Sequence, residues 1–203
     1  MPSVYDFKPR FQGFLRPLIG QMARYGVTPN LVTLTALAGS CAVGIVVAAL
    51  AGERLWLLLL PAWLFVRMAL NAIDGMMARE LAMASDLGAM LNELGDALSD
   101  LAIYLSLAFV TPAAQWPAIA FAIGAVMTEF CGLLGRALGA SRRYDGPMGK
   151  SDRALMIGAL GLFTALIPSL VPAWRWVLWL GTVLTAITCL HRLAKALKEI
   201  PSR

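Results

Sequence analysis

Residues 71–96 read NAIDGMMARELAMASDLGAMLNELGD. Long apolar runs flank this stretch, yet it gathers Asn71, Asp74, Arg79, Asp86, Asn92, Glu93 and Asp96, with Asp100 one turn further on. Ionisable groups inside spanning helices are costly, so by default they mark a site. At about 100° per residue, Arg67, Asn71, Asp74, Gly75, Ala78 and Arg79 share an arc of roughly 140° on one helix. Gly88, Asn92, Glu93, Asp96 and Asp100 share a similar arc on the next. The short link at 79–85 predicts antiparallel neighbours whose polar arcs face each other. Gly75, Ala78 and Gly88 leave room for backbones or a bulky ligand to approach.

The surroundings decide the fold class. Of 203 residues, 59% are hydrophobic and 14% charged, and the mean hydropathy is +0.72. Soluble domains carry about 45–50% apolar and about 25% charged residues, so the chain reads as an all-α integral membrane protein of one domain over 1–203. Spans of about 20 apolar residues are expected at 31–51, 55–79, 86–110, 114–138, 153–171 and 173–194, a six-helix bundle over 31–194. Ahead of it, residues 1–28 form a leader in which Phe7, Phe11, Phe14, Leu15, Leu18 and Met22 recur at helical spacing between Lys8, Arg16 and Arg24. That pattern predicts an amphipathic helix lying in the membrane interface, broken or kinked at Pro9 and Pro17. The N-terminus has no pattern of a removable signal peptide.

Six spans place 14 of the 17 Lys and Arg residues on one side of the membrane. Such asymmetry marks the cytoplasmic side, so both termini and the polar cluster are expected there, in the cell's inner (cytoplasmic) membrane. It also accounts for much of the +5 net charge without nucleic acid. Cys41, Cys131 and Cys189 fall in apolar runs and indicate neither a disulfide nor a metal site. Trp56, Trp116, Trp174, Trp176 and Trp179 read as an aromatic belt at the far interface, and His191 as an interfacial residue.

Carboxylate and amide oxygens without His or Cys suit a hard cation, Mg2+ or Mn2+, which usually completes its shell with substrate phosphates. An ion-transporting site would use similar atoms. The order of the residues is more specific. It resembles the CDP-alcohol phosphotransferase (CDP-alcohol phosphatidyltransferase) motif D-x2-D-G-x2-A-R-x8-G-x3-D-x3-D. Here the residues are Asn71-x2-Asp74-Gly75-x2-Ala78-Arg79-x8-Gly88-x3-Asn92-x3-Asp96, with every spacing and six of eight motif residues matched. The length, the leader and TPNLVTL at 28–34 also resemble the family, and GPMGKSDRA at 146–154 is similar to a stretch of phosphatidylglycerophosphate synthase-like members.

The resemblance implies transfer of a substituted phosphoryl group from a CDP-linked lipid such as CDP-diacylglycerol to a small alcohol, with release of CMP, in phospholipid biosynthesis by a homodimer. It implies one or two metal ions among Asn71, Asp74, Asn92 and Asp96. It makes Asp96 the general base, and Asp74, Gly75, Ala78, Arg79 and Gly88 the nucleotide pocket. Two motif carboxylates are amides, which lowers the charge available to a cation. Glu93 and Asp100 share the face of Asn92 and are candidates to compensate, Asp100 being equally readable as a buried ion-pair partner. Arg142, Arg143, Lys150 and Arg153 are candidates for an acceptor phosphate, as glycerol-3-phosphate would present, or for lipid headgroups. Glu129, alone in the fourth span, is expected to pair with a cation such as Arg67 or Arg136. Three readings result: a transferase, a catalytically impaired relative that binds CDP-lipid or nucleotide without turnover, and a small ion transporter. The lack of an obvious internal repeat counts against the last.

Overall fold

The computed structural model describes residues 4–200, with side chains from Phe11 to Ile200; Phe7, Lys8, Arg10 and Arg203 therefore contribute no described side chains. Among the described residues the chain is all-helical. Seven α-helices follow in order: α1 (Val4–Arg24), α2 (Pro29–Ala49), α3 (Leu59–Glu80), α4 (Asp86–Ser106), α5 (Gln115–Ala137), α6 (Lys150–Leu166) and α7 (Ala173–Glu199). Short 3-10 turns, Arg54–Leu58, Leu107–Phe109, Pro112–Ala114 and Pro168–Leu170, join several of them. Local chemistry sets the starts. Thr28 Oγ1 accepts from the Leu31 amide at 3.3 Å, with Pro29 in the first turn of α2. Ser85 Oγ accepts from the Gly88 amide at 3.0 Å and opens α4.

Four segments, Pro29–Ala49, Arg54–Glu80, Pro112–Ala137 and Ala173–Glu199, are long and apolar enough to cross a membrane. The other two expected spans correspond to α4 and α6. Glu93, Asp96 and Asp100 make α4 too acidic to meet that standard, and α6 has only 17 residues.

The leader departs from expectation. α1 runs unbroken through Pro17. Pro17 lies on the exposed face, where the Gly13 carbonyl that loses its helical partner can meet water or headgroups. Leu15 and Ile19, with Phe11 and Met22, pack against Ile73, Met76 and Met77 of α3. Phe14 (82% exposed) and Leu18 instead point outward. Arg16 grips Glu80 with two hydrogen bonds of 2.8 and 3.0 Å, tying the leader to the end of α3.

The expectation that α3 and α4 pack as neighbours is also corrected. α2 packs against both, α3 leans on α6 and α4 on α5, while close backbone approach between α3 and α4 is sparse. The reason lies in the side chains: long polar groups bridge the gap, and a ridge-into-groove contact at about 8–10 Å would leave them no room. α2 and α4 meet instead at Gly44, where a Cβ would clash with the Ala102 carbonyl. One end of the bundle holds an apolar core built around Leu60, Ile103, Tyr104, Phe121, Ile157, Trp174 and Leu178. Tyr104 and Phe121 pack there as a tilted pair with centroids 4.9 Å apart, and Trp174 donates its indole N–H to Thr164 at 3.1 Å. The polar groups collect towards the other end.

Candidate active site

The site grows from Asp96, which is 7% exposed in the middle of α4. Asn71 of α3 donates its amide N–H to Asp96 Oδ1 at 2.9 Å. Arg67, one helical turn earlier, donates to the Asp96 carbonyl at 3.0 Å and to Oδ1 at 3.4 Å. Lys150, the first residue of α6, places Nζ on Oδ2. Both oxygens of the expected base are therefore held by donors. Asp74 is also buried, and its Oδ2 accepts from Thr33 Oγ1 of α2 at 2.9 Å. Asn92 sits half-buried one turn before Asp96. Arg79 is exposed and folds back over Gly75, and the Asn30 side chain lies against Gly88.

Below Asp96 the charges form a ladder. Asp100 is 1% exposed, receives Arg67 on Oδ1 at 2.5 Å and receives Arg153 on Oδ2 at 2.8 Å. Arg153 is fully buried and also reaches Glu129 Oε1 at 2.9 Å, Thr128 Oγ1 at 2.8 Å and the Met148 carbonyl at 3.0 Å. The partners of Glu129 are therefore Arg153, Arg142 at 3.1 Å and Arg192 at 3.6 Å, in place of Arg67 or Arg136. Arg142 also takes both oxygens of Glu93 at 2.9 and 2.7 Å. Glu93 thus holds an arginine, and the motif pocket does not gain its carboxylate. Five cations, Arg67, Arg142, Lys150, Arg153 and Arg192, pair with four carboxylates, Glu93, Asp96, Asp100 and Glu129, while Asp74 meets the Thr33 hydroxyl and no cation among the described residues. In a low-dielectric interior, buried charges persist only when paired in this way.

Arg143 stands apart from this ladder. It binds Asp145 at 2.9 Å and Glu199 at 2.9 Å, and Ser141 and Lys195 complete a clamp between the α5–α6 loop and the end of α7. The Lys195 ammonium and then Arg143 hold the Asp145 carboxyl below its usual range. Gly146, at φ +118°, lets this loop pass against Thr188, where a Cβ would collide. Sequence reasoning missed Thr33, Arg192 and Tyr144. Arg192 read as one of several basic residues near a helix end, and nothing local distinguishes a buried arginine from an interfacial one.

The donor set at Asn71, Asp74, Asn92 and Asp96 is all hard oxygen and fits a divalent cation of the magnesium type. Among the described residues no three His, Cys, Asp or Glu side chains converge closely enough to hold an ion alone. The fit is therefore to a site completed by amide and substrate oxygens.

Residues 26–187 match the sequence model of the CDP-alcohol phosphatidyltransferase family. The chain is 43% identical over 191 residues to the Inner membrane protein YnbA of Escherichia coli (strain K12), covering 94% of each chain. It is 34% identical over 96 residues to an uncharacterised protein of Aquifex aeolicus (strain VF5), covering 46% of this chain and 45% of that one. Its fold is similar to that of Mycobacterium tuberculosis phosphatidylinositol phosphate synthase (PgsA1). The structure with CDP-DAG bound superposes with a TM-score of 0.76 at 21% identity, covering 89% of this chain and 92% of that one. The complex with manganese and citrate gives a TM-score of 0.78 at 21% identity, covering 92% and 91%. The chain belongs to the CDP-alcohol phosphatidyltransferase family, whose members are membrane-embedded transferases of substituted phosphate groups.

Proposed function

We propose that this protein transfers a phosphatidyl group from a CDP-linked lipid such as CDP-diacylglycerol to an alcohol, releasing CMP. The observation that supports the reading is that Asp74 of α3 and Asp96 of α4 are both buried at the family's motif spacing, with Asn71 of α3 hydrogen-bonded to Asp96. The acceptor oxygen attacks the lipid-bearing phosphorus, the bond from that phosphorus to the bridging oxygen breaks, and CMP leaves with the electron pair. Asp96 Oδ2 takes the hydroxyl proton. Lys150 rests on that oxygen and gives way to the alcohol. Arg67 and Asn71 fix the orientation of the base, which is worth more here than an unusual basicity. Arg79, over Gly75, contacts the nucleotide, with Ala78 and Gly88 shaping its pocket.

Asp74, Asn71, Asn92 and Asp96 would hold the divalent cation, one ion rather than two given only two carboxylates. When bound, it neutralises the diphosphate and the charge that develops on the leaving group. The 1–203 chain acts as one domain with six spans. About 30 Å of helix in the 21 residues of α4 matches a hydrocarbon core, and Arg67, Lys150 and Arg153 neutralise its buried acids. α1 lies in the interface with Phe14 and Leu18 towards lipid. Both termini and the pocket face the cytoplasm across the inner membrane, and the protein works as a homodimer.

CMP release from CDP-diacylglycerol by the purified chain, with Mg2+ or Mn2+ and a panel of alcohols, tests the proposal. Metal-dependent release with one acceptor supports it. Silence with CDP-lipid still bound supports a second reading, a binding protein without turnover, which the Lys150 contact on Asp96 and the amides at 71 and 92 favour.

A further inference from the structure

We infer that Glu199, at the end of α7, is a positioning residue for the acceptor alcohol and acts through the loop 141–145. The inference rests on the transferase reading and deepens it. The loop turns back along α5 and lies close against it, since a Cβ on Gly132 would strike the Arg142 guanidinium and the Arg143 carbonyl. Its side chains alternate between two sides. Ser141, Arg143 and Asp145 meet the end of α7. The Ser141 amide and hydroxyl donate to the two oxygens of Glu199 at 3.0 and 2.9 Å. Arg143 donates to Glu199 and to Asp145, both at 2.9 Å, and Lys195 reaches Asp145 at 2.5 Å. Arg142 and Tyr144 meet the interior instead. Arg142 takes both oxygens of Glu93, beside Asn92, and donates to the carbonyl and carboxylate of Glu129, each at 3.1 Å. The Tyr144 ring lies under Arg142 at 5.1 Å and walls a cavity of about 210 Å³ together with Glu129 and Lys150. Lys150 reaches from that cavity to Asp96 Oδ2, so an alcohol that approaches the base passes the Tyr144 wall.

The two sides of the loop differ in strength. On the inner side the Arg142 side chain is 9% exposed and doubly bonded to Glu93. On the outer side Glu199 is 40% and Lys195 53% exposed. Exposed ion pairs contribute little to global stability, so the outer contacts do not hold the bundle together. They set the register of the loop. Three donors converge on Glu199, and a segment with alternating faces cannot slip by one residue without turning Arg142 outward and Arg143 inward. Removing Glu199 therefore leaves the fold intact and unseats Tyr144 and Arg142, which face the acceptor path.

The test measures CMP release by the purified full chain with CDP-diacylglycerol and Mn2+. The acceptor KM is taken for whichever of glycerol, glycerol-3-phosphate, myo-inositol and serine is turned over. Glu199→Ala should raise that KM by about 3–10-fold, the size of a few exposed polar contacts, with kcat and the KM for CDP-diacylglycerol changed less than about 2-fold. Its thermal midpoint should fall by no more than about 2–4 °C. Glu199→Gln keeps a carbonyl for Ser141 and loses the charge beside Arg143, so its KM should lie between those of wild type and Glu199→Ala. Independently of turnover, trypsin cleavage after Arg142 and Arg143, located by mass, should be faster in Glu199→Ala, because the seated loop withholds the Arg142 side chain. An unchanged acceptor KM in a folded, active Glu199→Ala protein overturns the inference. An equal rise in both KM values also overturns it, as a general loosening of the bundle would act on both substrates. No CMP release from any form, wild type included, refutes the transferase reading and the acceptor role with it; the trypsin rates then decide whether Glu199 seats the loop.

Discussion

Replacing Arg153 by Met tests whether the charge ladder holds the bundle together. The methionine keeps the apolar stem and removes the guanidinium. Arg153 is fully buried and makes two charged contacts, to Asp100 at 2.8 Å and Glu129 at 2.9 Å, with two further bonds to Thr128 and the Met148 carbonyl. Breaking a buried pair by removing one partner costs about 3–5 kcal/mol, because the remaining charge is left uncompensated. Each carboxylate here keeps another cation, Arg67 for Asp100 and Arg142 and Arg192 for Glu129. The loss should therefore fall near about 3 kcal/mol, the lower end of that range. For a chain of this size that corresponds to a fall in midpoint of about 6–12 °C. The assay is thermal unfolding of the detergent-purified chain. Arg153→Met with Glu129→Gln should recover part of the loss, with a coupling of about 1–3 kcal/mol, as groups in one network do not add. A midpoint unchanged in Arg153→Met, together with a raised KM for the acceptor, would refute the structural role and return Arg153 to the substrate.

Asp96→Asn should lower CMP release by about 10²–10⁴-fold while circular dichroism stays unchanged, the range for loss of a general base; turnover retained would remove Asp96 from that role. Asn71→Asp sets a carboxylate against Asp96 Oδ1 where an amide N–H now donates. Its midpoint should fall without metal and rise more steeply than wild type on adding Mg2+ or Mn2+, and an identical metal response would show that position 71 does not meet the cation. Asp145 titrates below its usual value of 3.8 because of Lys195 and Arg143. Since its folded pKa is the lower one, its contribution is complete above the unfolded pKa and is lost as pH falls through the folded pKa. Proteolysis at the α7 end should accordingly increase with acid below about pH 4, and Asp145→Asn should lose that dependence. Gly146→Ala forces a side chain onto a φ of +118° and against Thr188. It should cost about 1–3 kcal/mol, read from the thermal midpoint.

The motif was legible because its information is local. Helical periodicity alone puts Asn71 and Asp74 on one arc and Asn92 and Asp96 on another, and the caps at Thr28 and Ser85 are set by residues within three positions. The same locality misled on the leader. Pro17 predicts a break from its neighbours, but the face on which it lies depends on how α1 meets α3. Glu93 and Asp100 occupied one arc in the sequence, yet they serve different partners, Arg142 and the Arg67–Arg153 pair.

By itself, then, the sequence determined the membrane-helix class, the pairing of two polar arcs and the family motif with its two amides. Only the tertiary structure decided which cations the carboxylates meet. Lys150 and Arg153 arrive from α6 and Arg192 from α7, each brought in by helix packing across more than fifty positions. Electrostatic pairing depends on distance in space and on burial, and neither is encoded in the spacing along a single helix.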